Sequence, residues 1–245
     1  MALAIEHRPS PNHGERAAGK PVDILLLHYT GMISDERALK WLCDPESAVS
    51  SHYFVFEDGR VAQLVDESRR AWHAGQSFWA GETDINSRSI GVEVANPGHE
   101  FGYRPFPDVQ IAAVIALCGD ILRRHAIPPE RVLAHSDVAP ERKDDPGELF
   151  PWATLSKAGI GVAPVAKTIN GAETLRFGER GDRIATYRSK LASYGYGIDV
   201  GSEFDAAAVT VTKAFQRHFR PSQVDGVADP GTVAVLDALL AMRQN

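Results

Sequence analysis

The stretch from Ala134 to Trp152 places an imidazole (His135), an ammonium (Lys143) and a carboxylate (Asp145) in one short segment. Prolines at 140, 146 and 151 keep it from being one continuous helix. The spacing therefore predicts a rigid, polar, irregular loop, a setting in which sites are commonly found. Histidine and aspartate both ligate divalent metals of borderline softness, and a protonated lysine, unable to ligate, can stabilise negative charge developing beside the metal. Taken alone, the segment also reads as a solvated turn.

A second histidine stands where a metal site would need it. Residues 23–30, Asp-Ile-Leu-Leu-Leu-His-Tyr-Thr, form a short apolar run between Pro21 and Gly31, too short to fill several helical turns. This predicts a buried strand with His28 near its end. Val132-Leu133-Ala134-His135 has the same form, so two adjacent strands would deliver both rings to one edge of a sheet. The loop then brings back Asp145. Two histidines and one aspartate leave the fourth tetrahedral position of Zn2+ for water, the pattern of a catalytic rather than a structural zinc. Each histidine taken singly also reads as a satisfied core or surface imidazole.

In Ser89-Ile-Gly-Val-Glu-Val-Ala-Asn96, alternation puts Ile90, Val92 and Val94 on one face of a strand and Gly91, Glu93 and Ala95 on the other. A partly desolvated Glu93 would have its pKa raised toward working pH, which suits a general base acting on water at a metal. The plainer reading is a sheet-surface glutamate.

The elements that would hold these groups are visible around them. Asp35 and Glu36 open an amphipathic helix over 35–43 with Ala38, Leu39, Trp41 and Leu42 on its apolar side. A longer helix over 108–125 carries Ile111, Val114, Ile115, Leu117, Cys118, Ile121 and Leu122 before Pro128-Pro129 stop it. His52 and Tyr53 open a strand that turns at Asp58-Gly59 into a second alternating run, and His52 reads as structural. Strands and helices interleave, which predicts an α/β fold: a central mixed sheet flanked by helices, with zinc at one strand edge.

At 245 residues and 44% hydrophobic, the chain can bury one substantial core and still supply a small second domain. A net charge of −6 with no basic block makes nucleic acid an unsuitable partner. No run of 18 apolar residues encodes a membrane span. Cys43 and Cys118 lie singly on apolar helical patterns, without metal-ligand spacing, and read as reduced, buried thiols. Small and Gly/Pro-punctuated residues near 157–171 read as a linker, and three helical patterns separated by glycine turns follow.

Taken together and in order, the His28-Tyr29-Thr30 run, the blocks Ser50–Val65, Ala71–Gly75 and Ser89–Val94, and the loop from Ala134 to Gly147 resemble the zinc-dependent N-acetylmuramoyl-L-alanine amidases of the amidase-2 type. Within these the likeness is to the AmiD and AmpD group, whose fold is that of the peptidoglycan recognition proteins. The resemblance implies that His28, His135 and Asp145 ligate zinc, that Glu93 is the catalytic acid/base, and that Lys143 stabilises the tetrahedral intermediate. It implies cleavage of the amide between the lactyl group of N-acetylmuramic acid, or its 1,6-anhydro form, and L-alanine, in peptidoglycan turnover or recycling. Peptidoglycan or muropeptides would be the partner. Trp72 and His73, in a block that borders the family's substrate groove, become candidates for substrate contact, as does Asn96; Asn96, Trp79 and Asn86 read first as loop packing and only second as residues of the same cleft.

The C-terminal patterns resemble the three-helix peptidoglycan-binding domain 1, which divides the chain into a catalytic domain at 1–160, a linker at 161–171 and a helical domain at 172–245. Arg188 stands where that family usually shows Gln, Asp199-Val200-Gly201 replaces its middle turn, and Asp229 takes a usual Gly position. A glycan-binding module and a stabilising helical appendage both stay open. As written, the first 20 residues carry no secretory pattern, so a cytoplasmic enzyme of muropeptide recycling is expected. A periplasmic or envelope-associated one is the alternative. A recognition module that binds without cutting would share the fold but typically lacks a zinc ligand; a zinc D,D-carboxypeptidase should show a His-x-His pair, which this chain does not.

Overall fold

The computed structural model describes residues 3–165 and 173–243. Of the linker expected at 161–171, residues 166–171 lie outside the described residues. Among the described residues eight strands are formed: β1 (Ile5–His7), β2 (His13–Glu15), β3 (Ile24–Tyr29), β4 (Tyr53–Val55), β5 (Val61–Gln63), β6 (Arg69–Ala71), β7 (Ser89–Val94) and β8 (Val132–Ala134). Six of them make one mixed sheet in the order β1-β5-β4-β7-β3-β8, in which only the β4–β5 hairpin is antiparallel. β2 and β6 pair separately.

Central strands covered on both faces are apolar throughout, and β3 shows why. Leu25 and Leu27 pack with Ile90, Val92 and Val94 of β7. Against this face lies a long helix whose Val114, Leu117, Cys118 and Ile121 are fully buried. Ile24 and Leu26 join a different cluster on the opposite face. His28 follows their parity, so the strand's one imidazole belongs to the face away from that long helix.

The described helices are α1 (Asp35–Leu42), α2 (Ile85–Arg88), α3 (Gly98–Phe101), α4 (Asp108–Arg124), α5 (His135–Val138), α6 (Trp152–Lys157), α7 (Asp182–Tyr194), α8 (Ala206–Phe219) and α9 (Pro230–Met242). α1 and α4 fall where hydrophobic periodicity puts them. In α1 the buried stripe is Ala38, Leu39 and Leu42, whereas Trp41 is 50% exposed. One residue is a turn of about 100° around a helix, so Trp41 sits off the stripe. Cys118 is buried as expected; Cys43, at the open end of α1, is only half-buried.

The C-terminal helices do not stand apart. Tyr187, Leu191, Tyr194, Tyr196, Phe215 and Leu236 share one buried cluster with Trp79, Ile85, Leu133 and Val138 of the sheet domain. Trp79 meets Tyr196 and Tyr194 edge-on at 5.0 and 5.8 Å between ring centroids. Its packing role, the first of the two sequence readings, makes it an anchor between the two parts of the chain. The departures in the helical domain are locally explained. Arg188 donates to the carbonyls of Asp199 (2.7 Å) and Glu203 (2.8 Å), tying down the altered turn. Asp229 caps α9 by accepting from the Thr232 amide at 2.8 Å. No described helix is long and apolar enough to cross a membrane.

Candidate active site

Register brings the site together. β3 and β7 pair His28 with Glu93, and β3 and β8 pair Leu27 with Ala134, so His135 emerges beside His28 as α5 begins. Asp145 returns on the loop beyond. His28 Nδ1 lies 2.9 Å from His135 Nδ1, and Asp145 Oδ2 lies 3.1 Å from the first and 3.0 Å from the second. All three side chains are buried.

The protons on this triangle are fixed from outside it. Ser89 Oγ donates to the Ile85 carbonyl (2.7 Å), so it accepts from His73 Nε2 (3.2 Å). His73 Nδ1 is then an acceptor, and His28 Nε2 donates to it across 3.1 Å. His135 Nε2 donates to the Ala74 carbonyl at 3.1 Å. With each ring neutral, both Nδ1 atoms turn lone pairs toward a carboxylate oxygen and toward each other. A divalent cation stabilises such a set. Tetrahedral ligands about 2.0–2.1 Å from zinc stand about 3.3 Å apart, close to the separations found. Outer hydrogen bonds that fix the tautomer of a ligating histidine are the usual support of a metal site.

Electrostatics agrees. Burial, reinforced by the neighbouring His135, pushes the His28 imidazole down to about 4, so it is neutral at ordinary pH despite Asp145. Burial would raise the Asp145 carboxyl, but positive charge at the His135–His28 corner, a proton on the rings or a cation in its place, outweighs burial and holds the group well below the usual carboxylate range. Glu93 is the converse: burial first, then the negative charge of Asp145, raise its carboxyl well above the ordinary value, with Lys143 opposing. Its Oε2 is buried without a protein partner.

A cavity of about 180 Å³ opens beside the triangle, walled by Tyr29, His99, Glu100, Lys143 and Asp145 among others. The structure therefore brings His28, Glu93, His135, Lys143 and Asp145 to one place. Trp72, His73 and Asn96 do not line this cavity. His73 is 8% exposed and lies beneath His28. Asn96 is spent on backbone, donating to the Arg104 carbonyl (2.8 Å) and accepting from the Gly98 amide (3.0 Å). Asn86 likewise accepts from the amides of His73 and Ala74. Tyr29 and His99, which the sequence reading did not single out, do face the cavity; Tyr29 Oη is 2.9 Å from His99 Nδ1, and Glu148 holds Nε2 at 3.2 Å. The signal for His99 was its place in the segment, folded as the short α3, that follows the Glu93 strand. A larger concavity of about 440 Å³ lies between the two parts of the chain. Its Arg142 is engaged by the carbonyls of Ala74 and Gln76.

A mixed sheet carrying this site at a strand edge matches a known class. Residues 18–148 match the family described as N-acetylmuramoyl-L-alanine amidase, and residues 180–236 match a peptidoglycan binding domain family. The chain belongs to the N-acetylmuramoyl-L-alanine amidase family and is an enzyme of that activity. It is 41% identical over 238 residues to the N-acetylmuramoyl-L-alanine amidase AmiD of Escherichia coli, spanning 92% of this chain and 84% of that protein. It is 30% identical over 164 residues to the 1,6-anhydro-N-acetylmuramyl-L-alanine amidase AmpD of Enterobacter cloacae, spanning 60% of this chain and 86% of the relative. The structure of E. coli AmiD with the substrate anhydro-N-acetylmuramic acid-L-Ala-D-gamma-Glu-L-Lys superposes with a TM-score of 0.79 at 39% identity, covering 93% and 92% of the two chains. AmpDh3 of Pseudomonas aeruginosa in complex with anhydromuramic pentapeptide gives a TM-score of 0.75 at 30% identity, covering 96% and 98%.

Proposed function

We propose that this amidase is zinc-dependent, that His28, His135 and Asp145 hold the metal, and that its substrates are muropeptides, with the 1,6-anhydro form among them. The observation that carries this reading is the buried triangle of two imidazole nitrogens and one carboxylate oxygen, within metal-ligand reach of one another. The substrates in the AmiD and AmpDh3 complexes support the anhydro form. We place the catalytic domain at 1–160 and a peptidoglycan-binding-like domain at 172–245.

Zinc held by three such ligands lowers the pKa of water to about 7 and polarises a carbonyl. The chain's own groups do the rest. Glu93, whose environment strengthens its hold on a proton, takes one from the attacking water and passes it to the departing L-alanine amine. A carbon–oxygen bond forms at the lactyl carbonyl and the carbon–nitrogen bond breaks. Lys143, on the cavity wall, sets its ammonium against the negative charge developing on the carbonyl oxygen. His73 serves by orienting His28, and Asn96 by holding the start of α3, which carries His99. Partly exposed Trp72 is the candidate for a saccharide contact. Incubation with 1,6-anhydromuropeptide and with intact sacculi, followed by mass spectrometry, checks the reading: free peptide beginning at L-alanine is expected, and cleavage at any other bond would refute it.

Two predictions belong to the strands themselves. A Cβ on Gly91 would stand 2.5 Å from the His73 ring, so Gly91→Ala must displace that ring from His28. By analogy with lost outer-sphere partners, metal affinity should fall about 10–100-fold, read by competition with a chelator. The second concerns pH. The folded pKa of Glu93 lies above its unfolded value, so between the two the native state binds more protons and stability falls as pH rises. In metal-free protein, Glu93→Gln should therefore melt above the parent at neutral pH, with the gap closing as pH drops to the ordinary carboxylate range.

A further inference from the structure

Asp137 is fully buried, two residues beyond the ligand His135, and mechanism gives it no part. Its Oδ2 accepts from the amide of Ala134 at 2.8 Å, closing a turn around His135. The other two donors come from the C-terminal helical domain. Tyr196 Oη donates to Oδ1 at 2.6 Å, and His218 Nδ1 donates to Oδ2 at 2.7 Å. The His218 ring is held between Trp152 and Phe219, each stacked at 3.8 Å, so its orientation is set by packing.

The residue before it reaches the other side of the site. Arg217 pairs with Asp144 at 2.7 Å, and Asp144 stands between Lys143 and Asp145. Neighbouring residues at the end of α8 thus grip both turns that supply the centre: one bears His135, the other Lys143 and Asp145. A buried carboxylate stripped of its partners is costly, and the turn that carries it relaxes rather than keep it so.

From this we infer that the C-terminal helical domain is a positioning element of the amidase centre, with Tyr196, His218 and Arg217 as positioning residues that act through Asp137 and Asp144. The inference rests on the metal reading above and goes beyond it: whatever the domain does toward glycan, it holds the two turns that carry the ligands, one step further out than partners bonded to the ligands themselves.

The test uses the full chain and a soluble anhydromuropeptide, so that polymer binding plays no part. Tyr196→Phe with His218→Phe keeps the rings and removes both donors to Asp137. Zinc affinity, measured by chelator competition, should fall at least about tenfold and kcat by a similar factor, with KM moving less than about twofold. His218→Asn, whose amide nitrogen reaches the position of Nδ1, should recover most of the loss. Tyr187→Phe is the control: it removes a buried hydrogen bond to Thr212 (3.0 Å) inside the same domain, one that does not involve Asp137, and should leave zinc affinity and kcat unchanged. If the double variant does not fold, Tyr196→Phe alone and Arg217→Met read the same quantities, with a few-fold loss expected of each. Wild-type zinc affinity and kcat in the donor-deleted proteins would overturn the inference. A wild-type protein that binds no zinc at all would instead overturn the metal reading, which separates the two failures.

Discussion

Asp145→Ala is expected to lose bound metal and turnover together. The carboxylate oxygen is one corner of a triangle whose other corners are two imidazole lone pairs 2.9 Å apart. Without it, two neutral ligands remain, the net charge of the site rises by one, and nothing offsets the repulsion between the facing nitrogens. Loss of an outer-sphere partner costs about 10–100-fold in affinity or activity; loss of a direct ligand should exceed that. Metal analysis after dialysis and kcat with anhydromuropeptide check the two losses on one sample.

Glu93→Ala should behave differently, losing about 10²–10⁴-fold in kcat, the usual worth of a positioned general acid–base, while keeping its metal. Glu93 is the cross-strand partner of His28, yet it makes no hydrogen bond to either histidine of the triangle, so the ligands do not depend on it. Lys143→Ala should keep metal as well and lose about 10²–10³-fold, as when one donor to a developing oxyanion is deleted. Equal metal loss in all three variants would contradict this division of roles.

Much of the centre was legible because each part leaves a local mark. An apolar run ending in a histidine, a glutamate among small residues on a strand, and a proline-broken loop of charged groups are each visible within ten residues or so. The sheet, α1 and α4 were legible through periodicity, and the three C-terminal helices through their glycine turns. What escaped was set by distance along the chain or by brevity. β1 and β2 span three residues each, too few to show a period, and exist because β5 and β6 pair with them. For His73 a groove contact and a structural role both stayed open, because an aromatic neighbour suits a saccharide. Its burial depends on Gly91, sixteen positions beyond Gly75, making room for the ring. Asp137 and His218 lie 81 residues apart, and nothing in either segment names the other. Trp79 read as a packing residue, but its partners, Tyr194 and Tyr196, belong to another part of the chain and left no mark beside it.

The most direct measurement is activity against metal content. Protein stripped with a chelator and assayed on anhydromuropeptide should be inactive and should regain turnover as zinc is added back, saturating near one ion per chain, with His28→Ala failing to respond. Full activity in protein that metal analysis finds empty would contradict the account.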